Sequence, residues 1–460
     1  MGRRMVGGDD GVLRHAWWWT ILGLLLAMLG GASRAAALPS YSWQSGQPCT
    51  QCHVQAFGPA LTSFGRQFKL NGYVWDRPDV PFIPLSAMLL TSLTHTAEGQ
   101  PGGAAPHFNA NNNIALDQLS LFYAGRIAPH IGAFVQGTYD GVAGTAALDN
   151  VDIRFANQGT VAGTDVIYGV SLNNNPTVQD LWNTTPAWGF PFASSPLAPT
   201  PAAATLIDGG LAQQVAGLTA YTLWHQLLYV EVGAYRTLPA SVQRAVGIPS
   251  AGEQQIDGFA PYWRLALQRD WGPHSVAVGT FGLHAAVFPG REQQAGHDHL
   301  TDVGVDATYQ FLSGPHQAGL HVTLITEHQR LAASQALGNT SNLSNNLTTF
   351  RTQASYNFMQ TYGVTLGYFQ TTGRTDTGLY QPAPISGSAS GSPNSRGFIT
   401  ELAVVPFGKV TSLLYPWLNV RLSLQYVAYL KFNGAHTNYD GFGRDASANN
   451  TLYLLSWFAF

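Results

Sequence analysis

Short stretches in which apolar and polar residues alternate one by one run through most of this chain. Val303, Val305, Ala307, Tyr309 and Phe311 interleave with Asp302, Gly304, Asp306, Thr308 and Gln310. Phe350, Thr352, Ala354, Tyr356 and Phe358 interleave with Arg351, Gln353, Ser355 and Asn357, and Leu418 to Phe432 alternates opposite Asn419, Arg421, Ser423, Gln425 and Lys431. A period of two puts successive side chains on opposite faces of a strand. Segments of about ten such residues separated by turns are the signature of a transmembrane β-barrel, apolar toward lipid and polar toward the lumen.

A soluble sandwich or solenoid also alternates, but three features oppose it. Very short connections (Ala128-Pro129-His130, Gly272-Pro273-His274, Gly314-Pro315-His316) trade places with long ones near 175–213, 238–257 and 373–395. Outer-membrane barrels show that asymmetry, with tight periplasmic turns and extended outer loops. Aromatic residues recur near segment ends, as an interfacial girdle requires, and the last segment, Leu452 to Phe460, ends in Phe. The expectation is an all-β transmembrane barrel of about 16 antiparallel strands over 83–460, an even number that returns both ends to one side. Lipid of the outer membrane is then its surroundings.

Composition narrows the function. Only 10% of residues are charged and the net charge is −3, with no basic patch, so a nucleic-acid partner is excluded. There is no nucleotide-binding loop and no nucleophile–histidine motif. The one apolar run, Ala16 to Leu29, follows Arg3, Arg4 and Arg14 and leads to Ala35-Ala36-Ala37. A positive start, a short apolar core and small residues at the end make residues 1–37 a secretory signal peptide. At about 14 residues the core is short of the roughly 20 that a membrane helix needs.

Past that segment comes Cys49-Thr-Gln-Cys52-His53, which holds both cysteines of the 460-residue chain. This spacing is that of c-type haem attachment. Each thiol can form a thioether to a vinyl group, and the adjacent histidine is placed to ligate the iron. A thioredoxin-like dithiol needs no following histidine and would sit in a βαβ pattern, which is missing. Residues 38–82 therefore form a small haem c domain, near the size at which a chain cannot bury enough surface to fold alone. One helix is expected from about Pro59 to Leu70, with Leu61, Phe64 and Phe68 on one face and Asn71-Gly72 as its stop. A single helix cannot wrap a haem. The expectation is a plug seated in the barrel from the periplasmic end, whose wall supplies the rest of the shell.

Beyond the signal segment the only methionines are Met88 and Met359. Met88 shares parity with Ser86, Ser92 and Thr94, so it points into the lumen and is the candidate distal ligand, with a filler role as the alternative. His95, the histidine rival, has lipid-facing parity, and Met359 sits in a turn. Arg264, Arg351, Arg421, Asp140, Asp302, Asp306, Glu231, Glu327 and Glu401 fall on the lumen side. Arg66 and Lys69 of the plug helix, or a lumen arginine, are candidates for the haem propionates; pore lining and plug–wall ion pairs are the plainer reading. On the outer face, His297, Asp298 and His299 are a candidate surface iron site, since imidazole suits transition metals. The Pro-His turns at His130, His274 and His316 are read as turn chemistry.

The runs Leu38-Pro-Ser-Tyr-Ser-Trp-Gln-Ser-Gly-Gln-Pro-Cys49-Thr-Gln-Cys52-His53 and Pro59-Ala-Leu-Thr-Ser-Phe-Gly65-Arg66-Gln-Phe-Lys69-Leu-Asn-Gly72-Tyr73 closely resemble the fused monohaem cytochrome–porins of iron-oxidising bacteria. The likeness continues through Pro84-Leu-Ser-Ala-Met88 and Ser92-Leu-Thr-His-Thr96, and beyond that rests on pattern and barrel length. It implies an outer-membrane protein that oxidises extracellular Fe(II) at one haem c, held by Cys49, Cys52 and His53, and passes the electron to a periplasmic c-type cytochrome. Two other classes stay open: a haem-plugged porin for small solutes, and a conduit for a donor other than iron.

Overall fold

The computed structural model describes residues 39–75, 83–250 and 253–460. The expected signal peptide, 1–37, lies outside the described residues. From Leu85 onward the chain forms one antiparallel sheet, of whose seventeen strands one is only the two-residue Gln255–Ile256. The other sixteen make the wall: β1 (Leu85–Thr96), β2 (Asn113–Ala128), β3 (Ile131–Asp140), β4 (Thr145–Val161), β5 (Thr164–Asn173), β6 (Val215–Trp224), β7 (Leu228–Thr237), β8 (Ala260–Trp271), β9 (His274–Phe288), β10 (Asp298–Ser313), β11 (His316–Arg330), β12 (Ser344–Phe358), β13 (Tyr362–Gly373), β14 (Ser395–Val404), β15 (Asn419–Lys431) and β16 (Thr451–Ala459). β1 pairs with β16 from Met88↔Ala459 to Thr96↔Thr451, which closes the cylinder and leaves no edge.

Pleat alternation assigns the two faces as the sequence anticipates. Leu121, Leu172, Val232, Leu267, Val305 and Leu366 are exposed on the outside, while Asp302, Asp306, Glu231, Glu327 and Glu401 are buried inside. A cylinder whose outer surface is apolar and whose backbone is fully paired is stable only in lipid. Exposed Trp224, Trp271, Tyr309, Tyr356, Phe358 and Tyr362 stand at the strand ends of the short turns, where amphipathic rings favour the membrane interface. His274 Nδ1 lies 2.8 Å from the Tyr309 hydroxyl and His316 Nδ1 lies 2.7 Å from that of Tyr356. The turn histidines thus belong to this girdle.

One connection breaks the asymmetry read from the sequence. Residues 405–418, between β14 and β15, lie at the short-turn end yet are long. The long connection 174–214, at the opposite end, folds inward, with Val178, Leu181, Trp182, Leu197 and Ile207 buried.

Residues 39–75 fill the short-turn end of the lumen. Helices α1 (Pro39–Ser45), α2 (Cys49–Cys52) and α3 (Ser63–Leu70) touch one another, as where Tyr41 meets Phe68 edge-on at 5.0 Å, and are held in addition by the wall. Tyr41 donates to the Ala133 carbonyl at 2.9 Å. Tyr73 donates to Asp152 at 2.6 Å, Tyr221 donates to the Leu70 carbonyl at 2.7 Å, and Asn419 donates to the Ala56 carbonyl at 2.7 Å. α3 begins at Ser63 and not near Pro59, because the Thr62 hydroxyl caps it by accepting from Gly65 N at 3.2 Å. The Pro59 carbonyl is instead engaged by the Asn183 amide of the inward loop. The helix does stop at Asn71, followed by Gly72 at φ +71°.

Candidate functional site

The motif forms its own short helical turn. α2 places Cys49 and Cys52 three residues apart, on the same side, and both thiols are free. His53 leaves the turn in extended conformation and pairs with Leu61, while Thr62 N donates to the Cys52 carbonyl at 2.9 Å. α3 then lies directly on the motif. A Cβ on Gly65 would stand 2.2 Å from the Cys52 carbonyl oxygen, so only glycine allows that approach.

The wall fixes the residues that follow. Gln55 and Ala56 take left-handed conformations, φ +57° and +59°, a strain that needs outside support. Gln55 N donates to Gln317 at 3.1 Å, its side-chain amide donates to the Ala403 carbonyl at 3.2 Å, and Arg421 donates to its oxygen at 2.9 Å. Around them Ala56, Phe57, Val405 and Ala459 form an apolar cluster onto which Cys49 and Trp457 pack. The connection 405–418 closes over this cluster, with Trp417 edge-on to Trp43 at 5.4 Å. The sequence signals for this covering segment were Pro406, Pro416 and Trp417, which interrupt the alternation.

Burial sets the titration of the motif. It pushes the Cys52 thiol up to about 12, with the neighbouring Cys49 adding to it, and it raises Cys49 as well. Desolvation lowers His53 to about 4, so its imidazole is neutral at neutral pH, the form that binds metals. His53 Nδ1 is shielded and has no hydrogen-bond partner. Two thiols on one side, a neutral imidazole with an unpaired nitrogen and an apolar surround are a donor set that fits a c-type haem.

Met88 is buried and faces the lumen, as its parity requires. It packs with Leu90, Phe122 and Tyr453, and Tyr41 of the plug and Trp457 rest on that group. Trp457 also stacks edge-on against Phe57 at 5.0 Å, so one ring links the Met88 cluster to the cysteine cluster. Met359 is exposed in its turn, and His95 is exposed outside with Nδ1 2.7 Å from the Asn112 side chain.

Arg66 and Lys69 are engaged elsewhere. Arg66 bonds Asp270 at 3.1 Å, Ser275 at 2.6 Å and Gln310 at 2.8 Å, and Lys69 donates to the Val178 carbonyl at 2.8 Å. They are plug–wall and plug–loop fasteners. Burial, with Arg154 adding to it, lowers Lys69 to about 7. Among the lumen charges, Arg264 pairs with Asp180 at 3.0 Å and Asp306 at 2.9 Å, Arg351 with Asp208 at 2.5 Å, and Arg421 with Glu401 at 2.5 Å. Buried Arg154, with Nε 2.9 Å from Asp152 Oδ2, escaped the sequence reading.

The outer histidines separate from their acid. His297 and His299 do lie together, ring centroids 4.8 Å apart, and His284 joins them at 5.8 Å from His299. Asp298 points into the barrel and accepts from Ala333 N at 2.8 Å and Ser334 N at 3.0 Å. Pleat alternation puts neighbouring residues on opposite faces, so Asp298 cannot share a metal with the flanking imidazoles. Among the described residues no group of three or more His, Cys, Asp or Glu is arranged to hold a metal ion.

No protein-family model matches the chain, and no curated protein matches it. Solved structures do. An anion-selective porin from Comamonas acidovorans aligns at 12% identity and TM-score 0.44, covering 82% of this chain and 98% of that one. The outer-membrane channel DcaP of Acinetobacter baumannii gives 12% and 0.44, covering 82% and 96%. OmpT of Vibrio cholerae in its trimer form gives 11% and 0.43, covering 82% and 98%.

Proposed function

We propose that the chain is an outer-membrane electron-transfer protein of a Gram-negative bacterium, carrying one covalent haem c and oxidising extracellular Fe(II). The reading rests on one observation: the Cys49–Cys52–His53 turn is seated inside a lipid-embedded barrel, between α3 and the connection 405–418. Cys49 and Cys52 would hold the group, His53 would give one axial nitrogen, and Met88 is the candidate for the other. When bound, a c-type haem supplies a reversible one-electron iron couple.

The chain's own residues do the rest. A thiol held up near 12 stays protonated and is a poor nucleophile. Wall and plug then keep bulk water out while leaving the motif at the periplasmic end, within reach of a soluble c-type cytochrome. Fe(III) hydrolyses and precipitates near neutral pH, so a cell gains by taking the electron without admitting the ion. The likeness of residues 38–96 to iron-oxidising cytochrome–porins supports iron as the donor.

Anaerobic Fe(II) added to purified protein should give prompt growth of the reduced haem band. Cys49→Ala with Cys52→Ala should abolish covalent haem. A protein isolated without haem would overturn the reading, and one whose haem stays oxidised would exclude iron as donor. The rival, a haem-plugged porin for small solutes, is favoured by a cavity of about 390 Å³ left in the lumen. Ion conductance in planar bilayers that survives loss of haem would select it.

A further inference from the structure

That lumen cavity, about 390 Å³, lies between the inward loop and strands β11–β16. Its lining reaches Thr371 and Thr451, near the outer ends of their strands, so it spans the outer half of the barrel. Register fixes its floor. His321 pairs with Gln353, and Gln353 with Gly367; this tier is the lowest of β11, β12 and β13 in the lining. Beneath it a void of about 30 Å³, room for one or two waters, is bounded by His321 and Gln353 above and by Val54, Gln55 and Phe57 of the plug. His321 and Gln353 therefore separate the chamber from the residues that follow His53. From Gln353 to Asn357, the last β12 residue lining the void, is about 14 Å at ~3.4 Å per residue.

The chemistry of the lining is specific. Its charged side chain, Arg351, is neutralised by two bonds to Asp208. The remaining polar groups are hydroxyls, amides and one imidazole. His321 is 7% exposed, and its Nδ1 has no hydrogen-bond partner. An imidazole nitrogen left unpaired beside these neutral groups, with the Asp180 and Asp306 carboxylates and the Arg66 guanidinium also acting on it, suits a borderline transition-metal cation. One nitrogen gives weak, short-lived binding, which suits an ion that must leave after reacting.

We propose that the chamber is the vestibule by which a hydrated divalent transition-metal ion enters, and that His321 is its ligand at the inner end. This deepens the electron-transfer reading and rests on it for the redox step. With a haem held by Cys49, Cys52 and His53, an Fe(II) ion there would give up one electron and leave outward as Fe(III), with no atom or proton exchanged.

Two experiments on the full-length protein test the vestibule. His321→Cys in outer-membrane vesicles should be modified from outside by a small hydrophilic methanethiosulfonate. Thr349→Trp, two tiers above, should slow that modification at least about tenfold; no modification, or no slowing, overturns the route. Co(II), inert as a donor, should bind with an imidazole ligand-field spectrum in a His297→Ala, His299→Ala background. Adding His321→Ala should weaken that binding about tenfold or more, and unchanged binding overturns the ligand. Neither readout needs haem turnover. Should the protein carry no haem, Cys49 and Cys52 would be free thiols on mass analysis, so failure of the electron-transfer reading is visible separately.

Discussion

The two sides of the lumen are built on opposite plans. Along β4–β10 the interior is solidly tied: Arg154 with Asp152, Arg264 with Asp180 and Asp306, and the ring pairs Trp182–Tyr229 and Tyr235–Tyr262 join wall and loop beside the plug. Along β11–β16 the same loop meets the wall at points such as Thr323, Gln425 and Tyr429 and leaves the chamber between them. On the solid side Arg154 pairs with Asp152 and Arg264 with Asp180 and Asp306, whereas the chamber of the open side is lined mainly by hydroxyls and amides. The difference teaches that both walls hold the small domain, through Tyr73 and Tyr221 on one side and Gln317, Arg421 and Asn419 on the other, while only the second leaves space above it.

The largest effect should come from breaking the solid side. Arg154→Leu leaves Asp152 buried without its counter-charge and removes donors to the Lys69 and Gln179 carbonyls. About 3–5 kcal/mol of stability should be lost, read as faster proteolysis of residues 39–75 and a lower urea midpoint. Gln353→Leu on the open side should cost below about 1 kcal/mol; equal losses would erase the contrast.

Gly65→Ala comes next. Its Cβ meets the Cys52 carbonyl, so α3 must lift off the motif at about 1–3 kcal/mol. Amide exchange of residues 49–70 should accelerate, with the outer chamber unaffected. Unchanged exchange would show that the approach is looser than described.

Lys69 gives a test by pH. Its pKa is near 7 in the fold and about 10.4 unfolded, so between these values the unfolded chain binds more protons. Stability should therefore rise with pH across that window, by up to about 1.4 kcal/mol per unit, and gain nothing from Lys69 below pH 7. Comparing Lys69→Met with wild type isolates the slope; parallel curves would refute burial of the ammonium. Of the changes that touch the plug, the smallest effect should be that of Asn419→Ala, which loses its bond to the Ala56 carbonyl and the one it accepts from Val420 N, about 1 kcal/mol by denaturant titration.

Much of the fold was legible because a strand obeys a local rule. Parity alone put Met88, Glu231, Asp302 and Glu401 inside and His95 outside, and the barrel agrees at each. The same rule, applied to Asp298, would have separated it from His297 and His299. The start of α3 was missed because Thr62 acts through a cap three residues on, while Pro59 is occupied by a loop residue more than a hundred positions away. His321 carries no local signature and the connection 405–418 only the broken alternation at Pro406, Pro416 and Trp417; closure of the sheet brings both to the plug.

By itself the sequence determined the alternating wall, the thiol pair with its histidine, and the side of the wall on which each strand residue falls. These follow from the two-residue repeat of the pleat and the three-residue spacing of the cysteines, both properties of neighbouring backbone. Tertiary structure decided how the lumen is divided, because that depends on where the connection 174–214 and residues 39–75 come to rest. Packing and desolvation inside a closed cylinder join residues hundreds of positions apart, such as Gln55 with Arg421, and no local pattern records such a meeting.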